Sequence, residues 1–163
     1  MKRRYLRAKE SRRVRDELVS KLTVASEFVS AKEPIELAEG FGYEVFFISG
    51  KPTFARSKAR LFPTLTNEEF IGHFPTVVVD MGAVAFVCNG ADVMAPGIVR
   101  YDGTFRKGEV VVVVDERHGR PLAVCFTLYD AGEAKKIKQG KVLENIHYVG
   151  DRLWTLLTGQ NAS

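Results

Sequence analysis

The sequence predicts an α+β N-terminal domain over residues 1–74, a mostly-β barrel over 75–155, and a tail over 156–163. Three observations predict it. A helical apolar pattern and a hairpin signal both precede Pro75. Beyond Pro75, five short β-prone runs lie at 76–79, 97–101, 109–115, 122–129 and 142–148, divided by turns and with few helical patterns between them, as in a small barrel. The charge also changes there: residues 1–75 carry 14 Lys/Arg against 10 Asp/Glu, and residues 76–163 carry 10 of each. No long linker, internal repeat or low-complexity tract is evident.

Taken in order, Lys2-Arg3-Arg4-Tyr5-Leu6-Arg7 reads as a basic arm or a first edge strand. Residues 9–22 place Val14, Leu18, Val19 and Leu22 at helical spacing, with Arg12, Arg13 and Arg15 over much of the remaining face and Glu17 four residues before Lys21. Residues 34–37 and 43–49 read as strands; Gly50-Lys51-Pro52 is a turn signal, and 53–55 returns. Arg56, Lys58 and Arg60 alternate, which on an extended segment puts them on one side, able to track phosphates or simply to protect a solvated edge. Thr66-Asn67-Glu68-Glu69 ahead of Phe70-Ile71 reads as a capping box opening a short helix, ended by His73-Phe74-Pro75.

The second half is organised around residues 77–98. A valine strand stops at Asp80, a short apolar segment at 82–88 reads as helical, and two glycine-marked turns follow, Asn89-Gly90 and Pro96-Gly97, with Met94 between them. Glycine permits positive φ and close backbone approach, so this pattern predicts a shaped binding surface. Residues 131–138 are a second helical candidate. Nothing here forms a nucleophile, acid–base or phosphate-loop constellation. Cys88 and Cys125 lie singly in apolar runs and read as buried, unreactive thiols of a reducing cytoplasm. His73, His118 and His147 lack ligand spacing; His147 reads as a structural hydrogen-bonding residue and Trp154 as a core plug. The longest apolar run, 110–114, is too short to span a bilayer, and the N-terminus lacks the apolar region of a secretory signal. The expectation is a cytoplasmic protein that is no enzyme and uses no cofactor, metal or membrane.

Val79-Asp80-Met81-Gly82-Ala83-Val84, Phe86-Val87, Asn89-Gly90-Ala91, Val93-Met94 and Pro96-Gly97-Ile98 resemble the signature of the PUA domain. Lys107-Gly108-Glu109 and Pro121-Leu122-Ala123-Val124 follow in the order of that domain, with Cys125 where many such sequences have glycine. The closing Lys-Gly-Lys and His147-Tyr148…Asp151…Leu153-Trp154 elements are similar to the malignant T-cell-amplified sequence family and to ligatin-type translation factors, in the short two-domain form of archaeal members. The resemblance is strong over 76–154 and looser over the first 75 residues, through the basic helix and the Phe-Phe-Ile-Ser-Gly hairpin. It implies a PUA pseudobarrel that binds structured RNA. By position, it implies contacts from Gly82, Ala83, Phe86, Gly90, Ala91, Asp92, Met94, Pro96 and Gly97, with Lys141 and His147 from the closing segment. On the residues alone, the alternative is that the glycines only make turns and that Phe86 and Val87 are core; Phe86 reads as core, and the 90–97 loop reads as functional.

A half with zero net charge attracts a polyanion weakly, and phosphate neutralisation carries much of RNA affinity. The expected attraction therefore falls to the first half: Arg3, Arg4, Arg7, Arg12 and Arg13, with Arg56, Lys58 and Arg60, position the RNA while the glycine loop recognises an end. The resemblance further implies a translation role at the small ribosomal subunit in initiation and recycling, with tRNA or small-subunit rRNA as ligand and an initiation-factor-like protein as partner. Two alternatives remain at this level: an RNA-docking accessory subunit of a tRNA- or rRNA-modifying enzyme, and a protein-interaction module using the basic N-terminal helix.

Overall fold

The computed structural model describes residues 1–22, 24–30 and 32–159, and the chain divides into two compact units, Met1–His73 and Phe74–Ser163.

The first unit is an antiparallel sheet of five strands in sequence order: β1 (Arg3–Tyr5), β2 (Ile35–Gly40), β3 (Tyr43–Ile48), β4 (Lys51–Ser57) and β5 (Arg60–Pro63). Before β2 come α1 (Ala8–Lys21) and the single turn α2 (Ala25–Phe28), and α3 (Glu68–Ile71) follows the sheet. Strand β3 is buried continuously from Val45 to Ile48, so both faces of the sheet are covered. Phe46 stacks on its cross-strand partner Phe54 at 4.7 Å. Tight two-residue turns join the hairpins, with positive φ at Phe41-Gly42, Ser49-Gly50 and Lys58-Ala59, the twist that matches right-handed strands.

This geometry corrects four expectations. The β3–β4 turn is Ser49-Gly50, and Lys51-Pro52 already belongs to β4. Lys58 occupies the next turn, so Arg56 and Arg60 lie on neighbouring antiparallel strands and no basic row runs along one extended segment. On α1 the buried seam is Ser11, Leu18 and, just past the helix, Leu22, while Val19 is 42% exposed. Helix α3 is capped by Asn67, whose side-chain oxygen accepts from Phe70 N at 3.1 Å, one residue later than the Thr66 box. The capped position must have its amide acceptor in reach of the third helical N–H, and Asn67 has it here.

The second unit is a curled mixed sheet, order β7-β11-β10-β9-β6-β8. Its strands are β6 (Thr76–Val79), β7 (Val93–Met94), β8 (Ile98–Asp102), β9 (Val110–Asp115), β10 (Pro121–Thr127) and β11 (Lys141–Tyr148). Among the described residues, only β6 and β9 pair in parallel. The alternate valines Val77 and Val79 of β6 and Val111 and Val113 of β9 share one core cluster with Val87, Cys125 and Leu143. Helix α4 (Met81–Val87) closes one side, α5 (Ala131–Ala134) is a single turn, and α6 (Arg152–Thr158) ends the described chain. The tail expected from 156 is thus helical through Thr158, and residues 160–163 lie outside the described set. Leu153, not Trp154, is the core plug: Leu153 is fully buried while Trp154 is half-buried. With Asp151 as N-cap, accepting from Trp154 N at 2.7 Å, the second helical residue is the one directed into the sheet.

Candidate nucleic-acid interface

The valine strand β6 must end at Asp80 because that side chain turns to cap α4, accepting from Ala83 N at 2.9 Å. The Asp80 amide in turn donates to Gly97 O at 2.9 Å, which draws the turn at Ala95–Gly97 against the start of the helix. The approach is close enough that a Cβ on Gly97 would lie 3.2 Å from the Ala83 methyl. Between α4, the loop after it and this turn opens a cleft of about 360 Å³, lined by Asp80, Gly82, Ala83, Phe86, Val87, Ala91, Asp92, Val93, Met94, Pro96 and Gly97.

Strand β11 holds the loop from the other side. Asn145 Nδ2 donates to the carbonyls of Val87 and Ala91, both at 3.0 Å, and the Asn145 amide donates to Asp92 Oδ1 at 2.8 Å. Lys141 Nζ lies 2.8 Å from Asp92 Oδ2. Burial pushes the Asp92 carboxyl up, but the hydrogen bond from Lys141, the Asn145 amide and the lysine charge outweigh it, and its pKa lies below the ordinary value. The hydrogen bond to Asp92 raises the Lys141 pKa in return. Both carboxylates at the cleft thus have partners, which leaves an apolar trough with acceptors at its edges.

Phe86, which the sequence allowed to be core, is 69% exposed, and Met94 is 49% exposed, whereas Val87 is buried. In α4 the inward face is carried by Val87 and, half-buried, Ala83 and Val84, which leaves Phe86 on the outward side. Eight of the eleven residues named by position in this half line the cleft. Gly90 does not line it; with φ +91 it packs so near Tyr148 that a Cβ would meet the ring at 3.0 Å, a turn requirement. Lys141 reaches the cleft through Asp92. His147 is excluded as a direct contact: it is fully buried, with Nδ1 2.8 Å from Asp151 Oδ2, so its part is to hold β11 to the start of α6. Asp80, Val87 and Val93 were missed as lining residues. Among these, Asp80 carried a signal, an N-cap type directly before a helical segment.

The cations of the first unit divide in two. Arg56 is engaged by Glu17 at 2.6 Å and Glu44 at 2.9 Å, which docks α1 on the sheet and takes Glu17 away from Lys21. Arg3 pairs with Glu36 at 3.0 Å and lies 4.2 Å over the Phe47 ring, and Arg4 pairs with Glu10 at 3.2 Å. Arg7, Arg12 and Arg13 are exposed, and among the described residues no ion pair engages them. Cys125 is fully buried, and burial pushes its thiol far up; Cys88 is half-buried, its thiol also raised by burial. Among the described residues, no group of three or more His, Cys, Asp or Glu side chains is placed to hold a metal ion, and no helix is long and apolar enough to cross a membrane.

The half-open mixed sheet, the capped short helix and the glycine-walled cleft are those of a PUA pseudobarrel, and the family models agree. Residues 75–149 match the PUA domain, and residues 2–67 match a domain of unknown function, DUF1947. An uncharacterised protein of Methanocaldococcus jannaschii is 36% identical over 94% of this chain and 95% of its own. Translation machinery-associated protein 20 of Saccharomyces cerevisiae is 31% identical, over 80% of this chain and 77% of its own. The crystal structure of a hypothetical protein from Pyrococcus horikoshii superposes with a TM-score of 0.79 at 31% identity, covering 96% of this chain and 100% of that one. The chain belongs to the PUA-domain family that includes translation machinery-associated protein 20 and the malignant T-cell-amplified sequence proteins.

Proposed function

We propose that this protein acts in translation by binding the single-stranded end of a structured RNA, the acceptor end of a tRNA at the small ribosomal subunit. The role is recognition without catalysis, in the cytoplasm. The observation that carries it is Phe86, a large aromatic ring held 69% in solvent beside an apolar cleft. An exposed ring at the lip of an apolar cleft is placed to stack on a base, and such stacking contributes about 1–3 kcal/mol. RNA ends and loops supply such unstacked bases. Met94 offers a soft second wall. The Asp80 and Asp92 oxygens at the rim suit the amino groups of a base better than a phosphate. The yeast relative's name, translation machinery-associated, supports the setting.

The test is binding of the full chain to tRNA with and without its terminal CCA, alongside co-sedimentation with small ribosomal subunits. Binding that needs the CCA end, with co-sedimentation, is the expected result. Equal affinity for both forms would sink end recognition. Co-purification with a modifying enzyme and no ribosomal association would replace translation as the setting.

A further inference from the structure

The cleft leaves a question of charge. Among its described lining residues the ionisable groups are Asp80 and Asp92, and nearby Lys141 is already committed to Asp92 at 2.8 Å. A base seated there brings a phosphate that nothing in the cleft neutralises. On the far side of the Ala95–Gly97 turn lies a second groove, about 490 Å³, between the edge strand β8 and the segment after α5. Its lining includes Arg100, Tyr101, Lys135, Ile137 and Lys138. Lys135 and Lys138 are exposed, and among the described residues no ion pair engages either one. Arg100 is 60% exposed and shares only the exposed Asp102 at 3.1 Å, a contact that water and salt weaken.

The two depressions are neighbours. Pro96 lines both. Ala95 N donates to Gly140 O at 2.8 Å, and Met94 pairs with Lys141, so the lysine-bearing segment runs alongside the cleft wall. The zero net charge of residues 76–163 therefore conceals a local excess of cations placed one turn away from the apolar cleft.

We infer that the groove of Arg100, Lys135 and Lys138 is a phosphate track for the RNA strand whose end occupies the cleft. This rests on the RNA reading of the cleft and adds where the strand leaves it. The occupant is single-stranded RNA: Tyr101 and Ile137 offer ring and aliphatic surface to sugars and bases, while the lysines meet the backbone, the combination used for single strands.

The test uses the full chain and fluorescein-labelled RNA strands of about four and about ten nucleotides with the same CCA terminus, lengths that bracket a small single-strand site. Wild type binds the longer strand more tightly. In Lys135→Gln/Lys138→Gln that gain falls on the order of tenfold at low salt, and the slope of log affinity against log salt drops by about 1.4, two phosphates' worth on a single strand. The short strand binds as before, and Lys135→Arg/Lys138→Arg restores the long-strand gain. An unchanged long-strand affinity and salt slope in the Gln variant, with Phe86→Ala still losing both strands, would overturn the track and leave the cleft reading standing. Failure of wild type to bind either strand would overturn both. A poly-glutamate peptide that binds wild type, is lost in the Gln variant and does not compete with RNA would make the groove a protein-docking surface and end the inference.

Discussion

The first unit holds the excess of positive charge, and the second is neutral, yet their usable charge runs differently. In the first, Arg3, Arg4 and Arg56 are tied to Glu36, Glu10, Glu17 and Glu44 and fasten a small sheet and its helix, while among the described residues no ion pair engages Arg7, Arg12 or Arg13. In the second, lysines with no ion pair collect beside a cleft whose own carboxylates are satisfied. Net charge measures what attracts at a distance, out to a Debye length of about 30 Å at low salt. Availability at a binding site depends on which cations already have a partner. A neutral half can thus still hold cations as available to phosphate as those of a basic one.

The sharpest way to break this comparison is Phe86→Ala with Met94→Ala. Both side chains are largely exposed, so stability should change by no more than about 0.5 kcal/mol. RNA affinity should fall about 10- to 100-fold, since one stacked base is worth about 1–3 kcal/mol. Unaltered affinity by titration would move recognition out of the cleft. Next comes Asn145→Ala, which removes the side-chain donor shared by the carbonyls of Val87 and Ala91 and leaves Val87 O with the Gly90 amide alone. Denaturant unfolding should show a loss of about 1–2 kcal/mol, with weaker RNA binding because the loop wall is released.

In the first unit, Arg12→Glu/Arg13→Glu should lower RNA affinity several-fold and flatten its salt dependence, each lost phosphate contact removing about 0.7 from the slope on a single strand. Arg56→Ala should leave affinity within about twofold and cost about 1 kcal/mol of stability, since it removes two part-exposed ion pairs. The reverse ranking would show that ion-paired arginines are still the ones RNA uses. The smallest effect concerns acid. Asp92 and Asp115 have folded pKa values below the ordinary carboxylate value, Asp115 chiefly through the His118 amide and then those of Arg120 and Arg117. A depressed folded pKa adds stability that is fully present above the unfolded pKa and is lost as pH falls through the folded one. Stability should therefore decline below about pH 4, the unfolded carboxylate range, and Asp92→Asn should flatten that decline slightly by removing one of the two groups.

Much of this fold could be read from residue patterns because each long element repeats its signal. The five strand-like runs of the second half all became strands, and the amphipathic run at 9–22 became α1, since burial of alternate or helically spaced apolar residues leaves few other arrangements. Short features were harder. Strand β7 has two residues and no period to detect. Val19 fits the helical stripe as well as Ser11 does not, but close packing favoured the small side chain on the buried seam. Lys58-Ala59 carries no glycine, so nothing local announced a turn with φ of +51 and +63; the pairing of β4 with β5 imposed it. The PUA-half residues of the candidate site were legible as a loop, through Gly82, Met94 and Gly97. The outward direction of Phe86 was not, because an aromatic residue in an apolar helix signals core whichever way it points.

The contact of Gly97 with Ala83 fixes how the cleft can be re-engineered. With 3.2 Å between a would-be Cβ and the alanine methyl, even an alanine at position 97 asks the α4 methyl to give by a few tenths of an ångström. Retuning ligand choice is therefore best done from Phe86 and Met94, whose side chains extend into solvent. The glycine works as a fixed jaw and those two residues as the movable one, so a library confined to positions 86 and 94 should change which base is gripped while leaving the jaw spacing intact.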